Sequence, residues 1–179
     1  MTGGLLPDDI ETLARRVVEE NAALGRKVTV AESCTGGLIA SMITAEPGSS
    51  AVFEAGFVTY ANSIKHSVLG VSEASLEADG AVSETVVKQM LAGALTESSA
   101  DIGIAVSGIA GPDGGSQDKP VGTVWLAWGA ARNMHTLRTV LPTDRVMFQK
   151  LVAAAGLDLI RRQLLGLPKL PHYFSRRAI

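Results

Sequence analysis

Apolar residues recur at helical spacing from about Asp8 to Leu24: Ile10, Leu13, Ala14, Val17 and Leu24 share one side, and Gly25 offers a stop. KVTVAES follows, a short β-branched run that predicts a buried strand ending near Ala31. GGLIASMITAE then predicts a helix closed by Pro47-Gly48, and AVFEAGFVTYA a second strand. Asn62 to Leu69 reads as a short helix or turn, with a polar excursion after it to Gly80. Ser83 is placed to cap a helix whose Val86, Val87, Met90, Leu91, Ala94 and Leu95 line one side. ADIGIAVSG predicts a third strand and GIAGPDGGSQDKP a loop; VGTVWLAWG and NMHTLRTVL predict a hairpin joined around Ala130 to Arg132. The last helix spans about Asp144 to Leu165. Its Val146, Met147, Phe148, Leu151, Val152, Leu157 and Leu159 cover more than one side, which suits burial in the domain or a shared face with a neighbour.

Helices between strands imply crossovers, so part of the sheet is parallel, and the late hairpin adds an antiparallel part. The predicted architecture is an α/β fold, a three-layer α/β/α sandwich on a mixed sheet. One domain is expected over residues 1–166, with 167–179 (LPKLPHYFSRRAI) a short basic surface tail.

Composition narrows the classes. With 179 residues, 46% of them hydrophobic, the chain can bury a core and is not a disordered segment. Its 16 basic and 18 acidic side chains leave a net charge of −2, so no global basic field exists for nucleic acid. The longest uncharged stretch near the start, Ser33 to Ala45, is too short to span a membrane. The N-terminus lacks the basic and apolar regions of a secretion signal, and no export core follows Arg15-Arg16. Cys34 is the one cysteine, so no intrachain disulfide can form. A soluble, cytoplasmic protein with no membrane or nucleic-acid partner is expected.

Three segments lie where open α/β sheets bind ligands, after strands. In Ala31-Glu32-Ser33-Cys34-Thr35-Gly36-Gly37, Ser33 stands at a strand-to-helix turn, a position for an exposed nucleophile, or else a helix cap. Small residues and the free amides of the following helix suit an anion or oxyanion. In Tyr60-Ala61-Asn62-Ser63-Ile64-Lys65, a lysine of lowered pKa can act as a base and a tyrosine can relay a proton. An exposed lysine and an ordinary strand-end aromatic are the plainer alternative. The third segment, Ser107 to Gly115, has the glycines of an anion nest or of a flexible loop. It is neither a P-loop, since Lys119 precedes proline, nor a dinucleotide fingerprint. His66, His135 and His172 lack metal-ligand spacing, and no metal site is expected.

Together AESCTGG, PGSS, VTYANSIK, GAVSE, SGIAGPDGG and KPVGTVW, in order from about Leu6 to Leu165, resemble the C-terminal domain family of the competence/damage-inducible protein CinA. That family includes stand-alone nicotinamide-nucleotide amidases, and Met1 with no room for a second domain points to the stand-alone form. The resemblance implies hydrolysis of the carboxamide of nicotinamide mononucleotide to nicotinate mononucleotide and ammonia, in NAD recycling, with no cofactor. It implies Ser33 as nucleophile, Lys65 as general base and Tyr60 as its assistant. Glu32, Cys34, Thr35, Gly36, Gly37, Ser107, Gly108, Gly111 and Arg145 are the expected substrate-binding positions, with the Cys34–Gly37 amides at the oxyanion and Arg145 and the glycine loop at the phosphate. A homo-oligomer is implied as well. The chain departs from the family in having Ser107 for a usual threonine and Thr143-Asp144-Arg145 for a usual Gly-Asp/Asn-Arg. Gln149 stands where a second arginine is common. The alternatives are a non-catalytic nucleotide- or protein-binding module, and an amidase for another small carboxamide.

Overall fold

The computed structural model describes residues 9–167 and Pro171, so nearly all of the expected tail lies outside the described residues. The chain runs α1 (Asp9–Ala23), β1 (Val28–Glu32), α2 (Leu38–Ala45), β2 (Phe53–Val58), α3 (Asn62–Leu69), α4 (Glu73–Asp79), α5 (Glu84–Ser98), β3 (Ile102–Gly108), β4 (Thr123–Ala130), β5 (Asn133–Val140) and α6 (Arg145–Leu164). A 3-10 turn, Ser49–Ala51, precedes β2. The five strands form one sheet in the order β2-β1-β3-β4-β5. β1 is parallel to β2 and β3, while β4 is antiparallel to β3 and β5, which makes the sheet mixed as the crossovers and hairpin require.

Two apolar layers sandwich the sheet. α1, α2 and α6 cover one face, where Val17, Ile39, Ile43, Phe148, Val152 and Leu157 meet Val30, Ile104 and Leu126. α6 is therefore buried within the domain at Phe148 and from Val152 to Ile160, while Val146 at its start is exposed. α3, α4 and α5 lie on the other face, with Leu69, Val87, Met90 and Leu91 against Ala31, Ala105 and Ala127. The alanines admit α5 close to the strands. Gly93 of α5 does the same for α3, since a Cβ there would run into the Leu69 carbonyl. That close approach brings Lys65 of α3 in over the end of β1.

Local capping sets the helix starts. Ser83 accepts from the Val86 amide at 3.3 Å, and Asp144 accepts from Val146 and Met147 at 3.0 Å each. α4 falls inside the expected polar excursion; Ser72 caps it and Gly80 ends it. Among the described residues, no helix is long and apolar enough to cross a membrane.

Candidate active site

β1 is flanked by parallel strands whose crossovers lie on opposite faces of the sheet, α2 towards β2 and α5 towards β3. Its carboxyl end is thus the switch point where a ligand crevice forms. There the chain leaves β1 through Ser33, whose amide donates to the Val106 carbonyl at 3.1 Å and whose carbonyl accepts from the Gly36 amide at 3.2 Å. The turn continues through Gly36 and Gly37, both at positive φ (64° and 97°). At Gly37 a Cβ would also press on Val58 at 3.3 Å.

Lys65 is 1% exposed, and its Nζ lies 3.1 Å from Ser33 Oγ, 2.8 Å from the Thr59 carbonyl and 2.9 Å from the Tyr60 carbonyl. No carboxylate pairs with it among the described residues. Burial lowers its pKa below the ordinary lysine value. The opposing attraction would come from a Cys34 thiolate, and that is absent at neutral pH. Burial above all pushes the Cys34 thiol up to about 12, with Glu32 adding to the rise and its own backbone amide, Lys65 and Arg145 pulling the other way.

The three contacts of Nζ limit how the amine can share a proton with Ser33. A neutral amine has two N–H bonds and one lone pair, and two of the three neighbours of Nζ are carbonyls that can only accept. As an ammonium Nζ donates to Ser33 Oγ as well; in the neutral amine, with both N–H bonds on the carbonyls, the lone pair is the part left for Ser33. Ser33 itself is 9% exposed, so the hydroxyl stands between a buried amine and the surface.

Glu32 is wholly buried, and its work is internal rather than at the surface where substrate was expected. Its Oε2 accepts from the Thr35 hydroxyl at 2.6 Å and from the Gly37 and Ile39 amides at 3.1 Å each; Oε1 accepts from the Ala40 amide at 2.8 Å. Hydrogen bonds to a charged group contribute about 1.5–3 kcal/mol each, so four of them offset a desolvation cost of several kcal/mol. Thr35 is buried and engaged in the same set. Of the Cys34–Gly37 amides, those of Gly36 and Gly37 are engaged by Ser33 and Glu32. Cys34 and Thr35 are left as the amides of this turn not bonded to another described residue.

Tyr60 takes part through its backbone. Its side chain is 63% exposed and its hydroxyl lies 3.3 Å from Arg145 Nη2, away from the amine, whereas its carbonyl touches Lys65. Arg145, at the start of α6, also donates from Nη1 to the Gly111 carbonyl at 2.9 Å, tying the glycine loop to the Tyr60 segment. Gly111 takes φ 79°, and a Cβ there would meet Val121. A Cβ on Gly108 would meet the Thr123 carbonyl at 2.8 Å and Phe148 at 3.0 Å, so this glycine serves close packing. Ser107 is buried and donates to the Ala81 carbonyl at 2.8 Å, pinning the approach to α5 onto β3. Gln149, at the position where the family commonly has a second arginine, donates from Nε2 to the Cys34 carbonyl at 3.0 Å, a contact no local pattern foretells. His66 Nδ1 lies 2.8 Å from the Val71 carbonyl and His135 packs on Trp128, while His172 lies outside the described residues.

The CinA C-terminal domain model matches residues 10–164. A protein of Pseudomonas putida named nicotinamide-nucleotide amidohydrolase PncC is 51% identical over 151 residues, covering 84% of this chain and 94% of its own. The Escherichia coli K12 protein of the same name is 47% identical over 158 residues, covering 88% of this chain and 96% of its own. A CinA-like protein of Colwellia psychrerythraea is 51% identical over 97% of this chain, which spans only 40% of that longer relative. Among solved structures, the competence/damage inducible protein CihA of Agrobacterium tumefaciens superposes with a TM-score of 0.83 at 45% identity, over 85% of this chain and 93% of its own. Since the match runs from α1 to the end of α6 and takes in Ser33, Lys65 and Arg145 alike, this chain belongs to the CinA C-terminal domain family.

Proposed function

We propose that the chain is a nicotinamide-nucleotide amidase that hydrolyses the carboxamide of nicotinamide mononucleotide to nicotinate mononucleotide and ammonia. The observation that carries this reading is the Ser33–Lys65 pair, a hydroxyl 3.1 Å from a buried amine. The names of the relatives at 47–51% identity supply the substrate.

In this reading Lys65 takes the Ser33 proton as Oγ bonds to the amide carbon. The carbonyl oxygen becomes an oxyanion facing the Cys34 and Thr35 amides. The Lys65 ammonium returns the proton to the nitrogen, the C–N bond breaks and ammonia leaves. Lys65 next takes a proton from water, the hydroxide attacks the acyl ester, and Ser33 departs with that proton to regenerate the pair. Between these steps the ammonium has three acceptors, Ser33 Oγ and the carbonyls of Thr59 and Tyr60, so both protonation states of Lys65 are provided for.

Arg145 is the cation at the mouth of the site and suits the phosphate, with Gly111 and Tyr60 holding its guanidinium in place. A cytoplasmic setting goes with this reading, as does self-association, which the exposed Val58 of the edge strand β2 and the exposed Ile64 and Val68 of α3 support. Ammonia release from nicotinamide, its riboside and its mononucleotide tests the substrate. A clear preference for the mononucleotide is expected, and equal rates would show that the phosphate is not recognised.

A further inference from the structure

Glu32 sits where two constraints on the site meet. Through its backbone carbonyl it accepts from the Thr59 amide at 2.9 Å, and the carbonyl of that same Thr59 holds the Lys65 amine. Through its carboxylate it gathers Thr35, Gly37, Ile39 and Ala40, which fixes the turn after Ser33 and fills the first turn of α2. Ser33 is the next residue along the chain, so both halves of the Ser33–Lys65 contact are referenced to one buried side chain and its own backbone.

We infer that Glu32 is a positioning residue for the nucleophile, an internal anion that holds the Ser33 hydroxyl on the Lys65 amine. Its carboxylate also occupies the positive end of α2, a place where the anionic part of a substrate would otherwise settle. The phosphate is thereby left to Arg145, whose guanidinium is held by the Gly111 carbonyl and the Tyr60 hydroxyl. This inference rests on Ser33 being the nucleophile.

Gln is nearly isosteric with Glu, but its amide can accept at one end only, so at least one donor of the set meets an N–H instead of an oxygen. Thr35→Val removes the 2.6 Å bond alone and keeps the shape. The test compares native protein, Glu32→Gln and Thr35→Val by ammonia release from nicotinamide mononucleotide, and by the rate at which a fluorophosphonate probe labels Ser33. Circular dichroism reports the folded fraction. A displacement of about 1 Å at a reacting group costs about 100-fold, so folded Glu32→Gln should lose about 100-fold in kcat with KM within about threefold, and probe labelling should slow in parallel. Thr35→Val should lose about tenfold. A role confined to capping α2 would lower the unfolding midpoint and leave kcat per folded molecule, and the labelling rate, within about threefold of native; that result overturns the inference. If Glu32→Gln does not fold, Thr35→Val decides by the same criterion. Native protein that labels at Ser33 but releases no ammonia from the mononucleotide would fail the substrate reading alone, and the labelling rates would still decide on Glu32. Native protein that releases ammonia without labelling at Ser33 overturns the inference together with Ser33 as nucleophile, and leaves the substrate reading standing.

Discussion

Lys65 Nζ is held by the Thr59 and Tyr60 carbonyls at 2.8 and 2.9 Å, and Ser33 Oγ completes its surroundings at 3.1 Å. Neither carbonyl belongs to a titrating group, so the amine is oriented without a counter-charge that would hold it protonated. Burial lowers its pKa. The rate of ammonia release should therefore rise with pH through the depressed Lys65 pKa and level off above it, and a flat kcat/KM profile down to acid would contradict Lys65 as base. Lys65→Met should lose about 10²–10⁴-fold in kcat, the usual contribution of a positioned base.

The same burial predicts a stability signature. The folded state holds Lys65 less readily protonated than the unfolded chain, whose lysines titrate at about 10.4. Below the depressed folded value both states carry the proton and the whole penalty stands. Stability is regained as the pH rises from that value towards the unfolded one. Denaturant unfolding followed across this range should show native stability climbing with pH and Lys65→Met lacking that slope.

Cys34 adjoins the nucleophile and is the natural rival for it. Its thiol is buried and pushed up to about 12, so almost none of it is thiolate at neutral pH. Cys34→Ser should keep kcat within about threefold, since a volume-conserving change at one sulfur leaves the Ser33–Lys65 geometry in place. Native protein should resist alkylation at neutral pH until it is unfolded.

Tyr60→Phe separates the backbone from the side chain of that residue. The variant keeps the carbonyl on Lys65 and loses only the 3.3 Å contact with Arg145. A small effect, about threefold or less on kcat, is expected, because exposed polar contacts contribute little. A loss of about 100-fold would restore a proton-relay role to the hydroxyl.

Arg145→Ala acts at the other end of the site. A charge-assisted contact to phosphate is worth about 1.5–3 kcal/mol, so KM for the mononucleotide should rise by about 10–100-fold. The riboside, which has no phosphate, should be affected far less. Steady-state kinetics on the two substrates gives the comparison.

Much of this arrangement was written in local pattern. The β-branched run before Ser33, the capping serine at 83 and the hairpin turn at Ala130–Asn133 each carry a short-range physical signal, and each element formed where that signal lay. α4 escaped notice because Leu76 is its one large apolar residue, too little for a periodic face, although Ser72, Glu73 and Gly80 are ordinary start and stop residues. The site was legible as three motifs but not as an arrangement. Nothing local in YANSIK says that the Tyr60 carbonyl, rather than its hydroxyl, meets Lys65. Nor does AESCTGG reveal that Glu32 turns inward to the α2 amides while Ser33 turns towards α3. Gln149 reaches Cys34 across 115 positions of sequence, a relationship that only the packed fold creates.

Ser33 as nucleophile is tested most directly by ammonia release from nicotinamide mononucleotide, with metal-stripped native protein beside a folded Ser33→Ala variant. Ser33 Oγ is a small group whose loss leaves Lys65 its two carbonyl acceptors, so the variant should fold. Ammonia is expected from the native protein and none above background from the variant. Ammonia from both at similar rates would contradict Ser33 as the nucleophile, and silence from both would contradict the amidase itself.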